Sequence, residues 1–229
     1  MSQPVPWHNR TSAMRKALVV ALAALVAAGC AHKRRTTSKV PAIAPIGHAE
    51  TGLASWYGHP YHGRAAADGE IYDMESLVAA HRTLPFQTWV RVTNLTNRKT
   101  VEVRIIDRGP FVDGRIIDLS HEAARQIDLI GPGVAKVRLE VIRAPANPVP
   151  GLFAVQVGAF RDQAAAERLR GQMAVRYGSA RLVPRTGSPP LWRILVGTEA
   201  TEEGADRLAA QIMEQLREKN AFVVRLDIP

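Results

Sequence analysis

From Gly52 onward, apolar residues recur at period two over short runs. Val90 and Val92 alternate with Arg91 and Thr93, the polar stretch Leu95-Thr96-Asn97-Arg98 follows, and Val101, Val103 and Ile105 then alternate with Glu102 and Arg104. Two such runs around a polar turn predict a β-hairpin. Ile116, Ile117 and Leu119 form the next apolar run, ahead of Ser120. The serine hydroxyl suits an N-cap, so a short helix is predicted through Ala123, Ala124 and Ile127. Gly131-Pro132-Gly133 stops that helix, and Val137, Leu139 and Val141 alternate in a last strand. Many short strands with one small helix predict a compact β-barrel.

A different pattern begins at Gly151. Phe153 to Phe160 (FAVQVGAF) reads as a strand leading to a helix capped by Asp162, with Ala165, Leu169 and Met173 on one face. Leu191 to Gly197 (LWRILVG) repeats this, leading to a helix from Thr201 with Ala205, Leu208, Ile212 and Leu216 on one face. With strands near Ala180 to Pro184 and Ala221 to Leu226, the order is βαββαβ, that of the ferredoxin-like class. Arg143 to Gly151 (RAPANPVPG) is a proline-rich spacer. At polyproline spacing it is predicted to hold the two modules about 25 Å apart and semi-rigid.

At the N-terminus, Arg15 and Lys16 precede an apolar run from Ala17 to Ala28, then Gly29 and the single cysteine, Cys30. The run is too short to span a bilayer comfortably but suits a secretion signal. Met14 opens a typical signal start (MRKALVV), so Met1 and Met14 are both candidate starts. LVAAGC resembles the site at which bacterial lipoproteins are lipidated and cleaved, with Ala27 where leucine is usual; a plain signal peptide with a nearby cysteine is the other reading. Lipidation on Cys30 gives membrane anchoring without a transmembrane helix. Ala31 after it resembles the outer-membrane sorting pattern. Ala31 to Ala49, rich in Lys, Arg, Thr, Ser and Pro with no apolar period, reads as a tether.

The 229 residues carry a formal net charge of +9. Three of the basic residues (Arg10, Arg15 and Lys16) lie in the signal segment and four (Lys33, Arg34, Arg35 and Lys39) in the tether, which leaves the two modules nearly neutral. Nucleic-acid binding concentrates basic charge on a folded face, and neither strand of the βαββαβ module carries an Arg/Lys-Gly-Phe signature, so an RNA-binding role is set aside.

Candidate chemistry concentrates in Arg104 to Ser120, RIIDRGPFVDGRIIDLS. Asp107 stands where an alternating apolar run breaks into a Gly-Pro turn, and a rigid strand positions such a residue in space. Asp-x-Gly-Pro is also ordinary turn composition, and both readings are open on local pattern alone.

Six blocks in order, LASWYG (Leu53 to Gly58), YHGR (Tyr61 to Arg64), DGE (Asp68 to Glu70), AAHRTLPF (Ala79 to Phe86), VRVTNL (Val90 to Leu95) and DRGPF…GRIIDLS (Asp107 to Ser120), resemble the rare lipoprotein A family. The resemblance implies a double-psi β-barrel and a septal lytic transglycosylase of the bacterial cell wall. Such an enzyme cleaves between N-acetylmuramic acid and N-acetylglucosamine without water: an acid protonates the departing oxygen, a base takes the proton of the sugar's own 6-hydroxyl, and a 1,6-anhydro ring is left. One carboxyl does both in turn if its pKa is raised toward neutrality. The resemblance places that role on Asp107, with Glu70 as second carboxylate and His81 supporting by hydrogen bonding. Arg108 or Arg115 is the candidate partner for the lactyl carboxylate of muramic acid. The chain departs from the family's pattern at Ala66-Ala67-Asp68-Gly69-Glu70, where Thr-Ala-Asn-Gly-Glu is usual, and at Ile106, where Asn is usual. Asp118 reads as a capping or strand-end group.

Trp56, Tyr57 and His59 are candidates to line a sugar groove, with buried core aromatics as the alternative for Trp56. His59-x-x-His62 with His81 is a weak zinc pattern, and the reading needs no metal and no cofactor. VQVGAF and WRILVG resemble the sporulation-related repeat (SPOR) domain, which implies binding of septal glycan strands stripped of stem peptides, with Gln156, Trp192 and Arg193 as candidates on an exposed sheet face.

The expected organisation is a signal peptide over 1–29, lipidated Cys30 and tether over 30–50, a barrel over 51–143, a linker over 144–150 and a SPOR module over 151–229. The expected function is an endolytic transglycosylase acting on denuded glycan during daughter-cell separation. It would be an outer-membrane lipoprotein facing the periplasm, enriched at the septum, with division-site proteins as possible partners and no nucleic acid. The alternative is a non-catalytic, expansin-like protein that binds and loosens glycan.

Overall fold

The computed structural model describes residues 45–146, 151–185, 191–216 and 221–227. Cys30, the apolar run before it and most of the tether lie outside the described residues.

The first module is a closed six-stranded barrel of β1 (Ala49–Tyr57), β2 (Val78–His81), β3 (Trp89–Asn94), β4 (Thr100–Asp107), β5 (Arg115–Ser120) and β6 (Val134–Arg143). Around the barrel the order is β1-β5-β2-β4-β3-β6. The pairs β1/β5 and β2/β4 are parallel and the other pairings antiparallel. The alternation read from the hairpin is the barrel's inside-outside pattern: Val90, Val92, Val101, Val103 and Ile105 are buried with Ile117, Leu119, Leu139 and Val141 in one core. α1 (His121–Gln126) starts at Ser120, whose hydroxyl accepts a hydrogen bond from the Ala123 amide at 3.2 Å. β2, with sequence VAAH and all four residues buried, has no period-two signal.

The second module consists of β7 (Gly151–Phe160), α2 (Gln163–Tyr177), β8 (Ala180–Arg185), β9 (Leu191–Glu199), α3 (Glu202–Leu216) and β10 (Phe222–Asp227), with sheet order β10-β7-β9-β8. Asp162 caps α2 by accepting from the Ala164 amide at 2.9 Å, and Gly178 ends it at φ 82°, in the left-handed region glycine favours. The buried stripe of α2 runs through Ala166 and Met173, with Leu169 and Tyr177 beside them; Ala165 is one position off it. Both helices cover one sheet face, over Val155, Ile194 and Val196.

The opposite face carries Ala154, Leu195 and Val224, and Phe111 from the barrel packs against them. The Arg225 amide donates to the Arg82 carbonyl at 3.0 Å, and the Arg82 guanidinium lies 5.5 Å from the Phe222 ring centroid. The two modules therefore touch, in place of the separation of about 25 Å that the proline-rich spacer suggested. The reason is apolar: burying one phenylalanine-sized side chain contributes about 1.5–3 kcal/mol, and the sheet face offers a surface for it. No helix among the described residues is long and apolar enough to cross a membrane.

Candidate active site

Backbone register builds the site. Ser55 of β1 stands opposite Asp118 of β5, Asp118 opposite Ala80 of β2, and Ala80 opposite Asp107 of β4. This row crosses four neighbouring strands, and Asp107 and Asp118 flank Ala80 at two interstrand spacings, about 9.5 Å between their Cα atoms. A methyl group between two carboxylates leaves space above it. There the structure has a cavity of about 320 Å³ lined by Ser55, Tyr57, Ala80, Asp107, Arg115 and Asp118 among others.

Asp107 is half-buried, and Oδ1 accepts hydrogen bonds from the Ala67 amide at 3.2 Å and the Arg108 amide at 2.7 Å. Burial pushes its pKa above the ordinary aspartate value, and the Arg108 amide and the charge of Arg185 only partly offset this. Asp118 is also pushed up, again by burial, against a hydrogen bond from the Ser55 hydroxyl at 2.5 Å and the nearby Arg115 guanidinium at 3.4 Å. Two carboxyl groups whose pKa values burial raises thus share one cavity, and the Ser55 hydroxyl and Arg115 guanidinium beside Asp118 favour its ionised form, which leaves Asp107 the candidate proton donor.

Glu70 is placed differently. It is exposed, and Arg104 grips it bidentately, Nη1 to Oε1 at 2.6 Å and Nη2 to Oε2 at 2.8 Å, with Gln87 Nε2 donating at 3.0 Å. The Arg104 hydrogen bonds hold its pKa below the usual glutamate value. It lines neither cavity that contains Asp107. Its connection to the site is the loop it anchors: Ala66 donates to the Glu70 carbonyl at 2.7 Å, and the adjacent Ala67 amide reaches Asp107. Asp68, raised chiefly by burial, accepts from the Glu70 amide at 3.0 Å and from Gln87 at 3.1 Å. Ile106 fills an apolar cluster with Ala66, Tyr72 and Val78.

His81 is buried and faces away from the Asp107 cavities. Its Nδ1 accepts from the Thr83 and Leu84 amides at 3.2 and 3.0 Å, which leaves the proton on Nε2, donated to Glu50 Oε1 at 2.7 Å. Its carbonyl and that of Leu84 accept from Arg108 Nη1 at 3.1 and 2.9 Å, and the Arg108 guanidinium lies 3.7 Å from the Phe86 ring centroid. His81 thus helps to fix Arg108, which lines both cavities. Tyr57 stacks on Tyr72 with centroids 4.3 Å apart, and the Tyr72 hydroxyl donates to the Tyr57 carbonyl. Trp56 lies at the edge of the 320 Å³ cavity, partly against the barrel core and edge-on to His121. His62 Nδ1 accepts from the Met74 amide at 3.1 Å.

A second cavity, of about 400 Å³, adjoins the first and shares Asp107 with it; Tyr57, Tyr61 and Arg64 line it from the barrel, and Arg185 and Arg193 from the second module. Of the candidates on that module, Arg193 reaches the cavity, Gln156 is buried in the sheet, and Trp192 packs into the core under the helices. The sheet face expected to be open meets the barrel through Phe111.

Residues 49–139 match the family described as lytic transglycolase, and residues 149–225 match the SPOR domain. A protein of Campylobacter jejuni named endolytic peptidoglycan transglycosylase RlpA is 40% identical over 215 residues, covering 81% of this chain and 75% of that protein. The chain belongs to the RlpA family. RlpA of Neisseria meningitidis is 37% identical over 175 residues, covering 73% of each chain, and RlpA of Vibrio cholerae is 54% identical over 108 residues, 46% of this chain and 41% of that protein. The double-psi barrel followed by a SPOR module, expected from the resemblance, is the architecture present. Within this RlpA-family barrel, Asp118, which reads from the sequence as a capping or strand-end group, lines the same cavity as Asp107. The signal was there: Ile117 and Leu119 point into the core, so the residue between them points out, toward Asp107.

Proposed function

We propose that this chain is an endolytic lytic transglycosylase that cuts N-acetylmuramic acid–N-acetylglucosamine bonds and leaves 1,6-anhydro ends. The observation that carries this reading is Asp107: a half-buried carboxyl at a strand end, its pKa raised by burial, across Ala80 from a second raised carboxyl. Protonated Asp107 gives its proton to the departing oxygen, and the resulting carboxylate takes the proton of the 6-hydroxyl as that oxygen closes on the anomeric carbon. Asp118, with Ser55, supplies negative charge near the oxocarbenium-like transition state. Tyr57, stacked on Tyr72, offers a face for a pyranose ring. In this reading Glu70 holds the loop that presents Ala67 to Asp107.

The preferred substrate is glycan stripped of stem peptides, and the SPOR module brings the enzyme to it at the division site. Lipidation on Cys30 anchors the protein to the outer membrane. The family relationship and the SPOR match support a place in the cell envelope. A second reading, in which the protein binds and loosens glycan without cutting it, draws on the engagement of Glu70 by Arg104. Incubation with peptide-stripped peptidoglycan, with Asp107→Ala as control, separates the two. Released oligosaccharides with anhydro ends that vanish in the variant support the enzyme, whereas glycan that co-sediments with the wild type but releases nothing supports the binder.

A further inference from the structure

The charge lining the 400 Å³ cavity is one-sided. Arg64 and Arg108 come from the barrel, Arg161, Arg185 and Arg193 from the second module, and Asp107 is the one carboxylate among the described lining residues. An excess of positive charge in a partly enclosed cleft selects an anionic ligand. Of the barrel's cations, Arg108 holds two carbonyls and covers Phe86, and Arg115, on the neighbouring cavity, lies against Asp118. Arg185 and Arg193 of the second module, by contrast, hold no carbonyl or carboxylate among the described residues. Arg193 lies in β9 beside Val183 of β8, and its Nε is buried with no hydrogen-bond partner among the described residues. Arg185 ends β8, and its guanidinium sits 5.6 Å from the Tyr61 ring centroid at the cavity wall. Burial, helped by repulsion between the two guanidinium groups, pushes the Arg193 pKa down. A buried donor without a partner beside a like charge is costly, and an anion between them removes both costs.

We propose that Arg185 and Arg193 of the SPOR module complete the barrel's substrate cleft by binding the free lactyl carboxylate of a muramic acid residue. This rests on the glycan-cleaving reading and deepens it. A stem peptide occupies that carboxyl as an amide, so only stripped glycan presents the negative charge that the arginine pair recognises. The preference for stripped strands is then set within the catalytic cleft. Recognition also couples to chemistry. The charge of Arg185 pulls the Asp107 pKa down. A substrate carboxylate paired with Arg185 screens that charge, so Asp107 holds its proton more firmly when the correct substrate is present.

The test uses the full chain in detergent and two substrates: stripped glycan, and the same glycan with its carboxylates converted to methylamides. Charge-assisted hydrogen bonds contribute about 1.5–3 kcal/mol, so the wild type is expected to favour the free carboxylate about 10- to 100-fold in kcat/KM. In the double variant Arg185→Gln, Arg193→Gln that preference falls to near unity, and in the Lys pair most of it is kept. Loss of the Arg185 charge also moves the basic limb of the kcat/KM profile to higher pH, because Asp107 must be protonated to act as acid; the substrate preference, which a merely structural arginine would leave unchanged, is the reading that decides. A Gln pair that keeps the wild-type preference overturns the proposal, as does a Lys pair that folds and loses it entirely. If the wild type cleaves neither substrate, the enzymatic reading fails. Co-sedimentation with the two glycans then decides the arginine site alone: equal binding of both by the wild type overturns it.

Discussion

At the scale of single residues, the proposed site holds carboxyl groups where water solvates them poorly. Folding raises the pKa of Asp107 through burial, so stability is lost as pH rises from the unfolded-state value of 3.8 toward the folded-state pKa, the full cost remains above it, and the cost disappears in acid, where the folded and unfolded chains are both protonated. Asp107→Asn is therefore expected to raise the melting temperature at neutral pH, with the gain fading as pH falls, while activity drops by about 10²- to 10⁴-fold. Thermal melts over a pH series and rate measurements check the two halves separately. Asp118→Asn is expected to lower kcat by about 10²-fold, in keeping with loss of one electrostatic partner of the transition state. Glu70→Gln keeps its hydrogen bond with Gln87 in reach and loses only an exposed ion pair, so its stability cost is at most about 1 kcal/mol. Its activity is expected to exceed that of either aspartate variant; a Glu70→Gln protein as inactive as Asp107→Asn would return the second-carboxylate role to Glu70. The position of Asp107 was legible in the sequence because a strand break is local. The placement of Glu70 was not, since Arg104 and Gln87, 34 and 17 residues away from it, decide where it points.

At the scale of elements, β2 is the piece that makes the cleft. Its sequence, VAAH, lacks the β-branched alternation that announces a strand, because all four residues are buried and the strand is wrapped by β4 and β5. In the proposed mechanism Ala80 must stay small. Ala80→Val is expected to leave the barrel folded, at a cost of about 1–3 kcal/mol from overpacking, yet to reduce kcat/KM at least tenfold by filling the space between Asp107 and Asp118. The far end of β2 has a separate structural task. Burial pushes Glu50 up, but the hydrogen bond from His81 holds its pKa below the usual glutamate value. That pair thus stabilises the fold above the unfolded-state glutamate value of 4.5 and loses its contribution as pH falls through the lower folded-state value. His81→Leu removes that hydrogen bond, costing about 1.5–3 kcal/mol, and flattens the acid side of the stability profile. The alternating strands and capped helices were legible because their signals repeat within a few residues. Register, which brings Ser55, Asp118, Ala80 and Asp107 into one row, is a property of the closed barrel.

At the scale of the whole molecule, two modules that each handle glycan face one another across a shared cleft. The spacer's composition implied separation, and composition alone carries no information about whether the surfaces it joins are sticky. Phe111 follows the Asp107 turn and packs onto Ala154, Leu195 and Val224, so the loop that carries the acid also docks the second module. Phe111→Asp places a charge in that apolar contact. The modules are expected to separate while each stays folded, seen as a larger radius of gyration in small-angle scattering and as two melting transitions in place of one. An unchanged scattering profile would show that Phe111 does not hold the modules together.

The central claim is that the sugar's own hydroxyl, with Asp107 as acid and base, ends the cut strand without water. Digesting stripped glycan in heavy-oxygen water and weighing the released fragments tests this most directly. Fragments that end in anhydromuramic acid and carry no heavy oxygen are the expected result, with none released by Asp107→Asn. Fragments with a reducing muramic acid end that has gained the heavy label would contradict it, because they would make the enzyme a hydrolase.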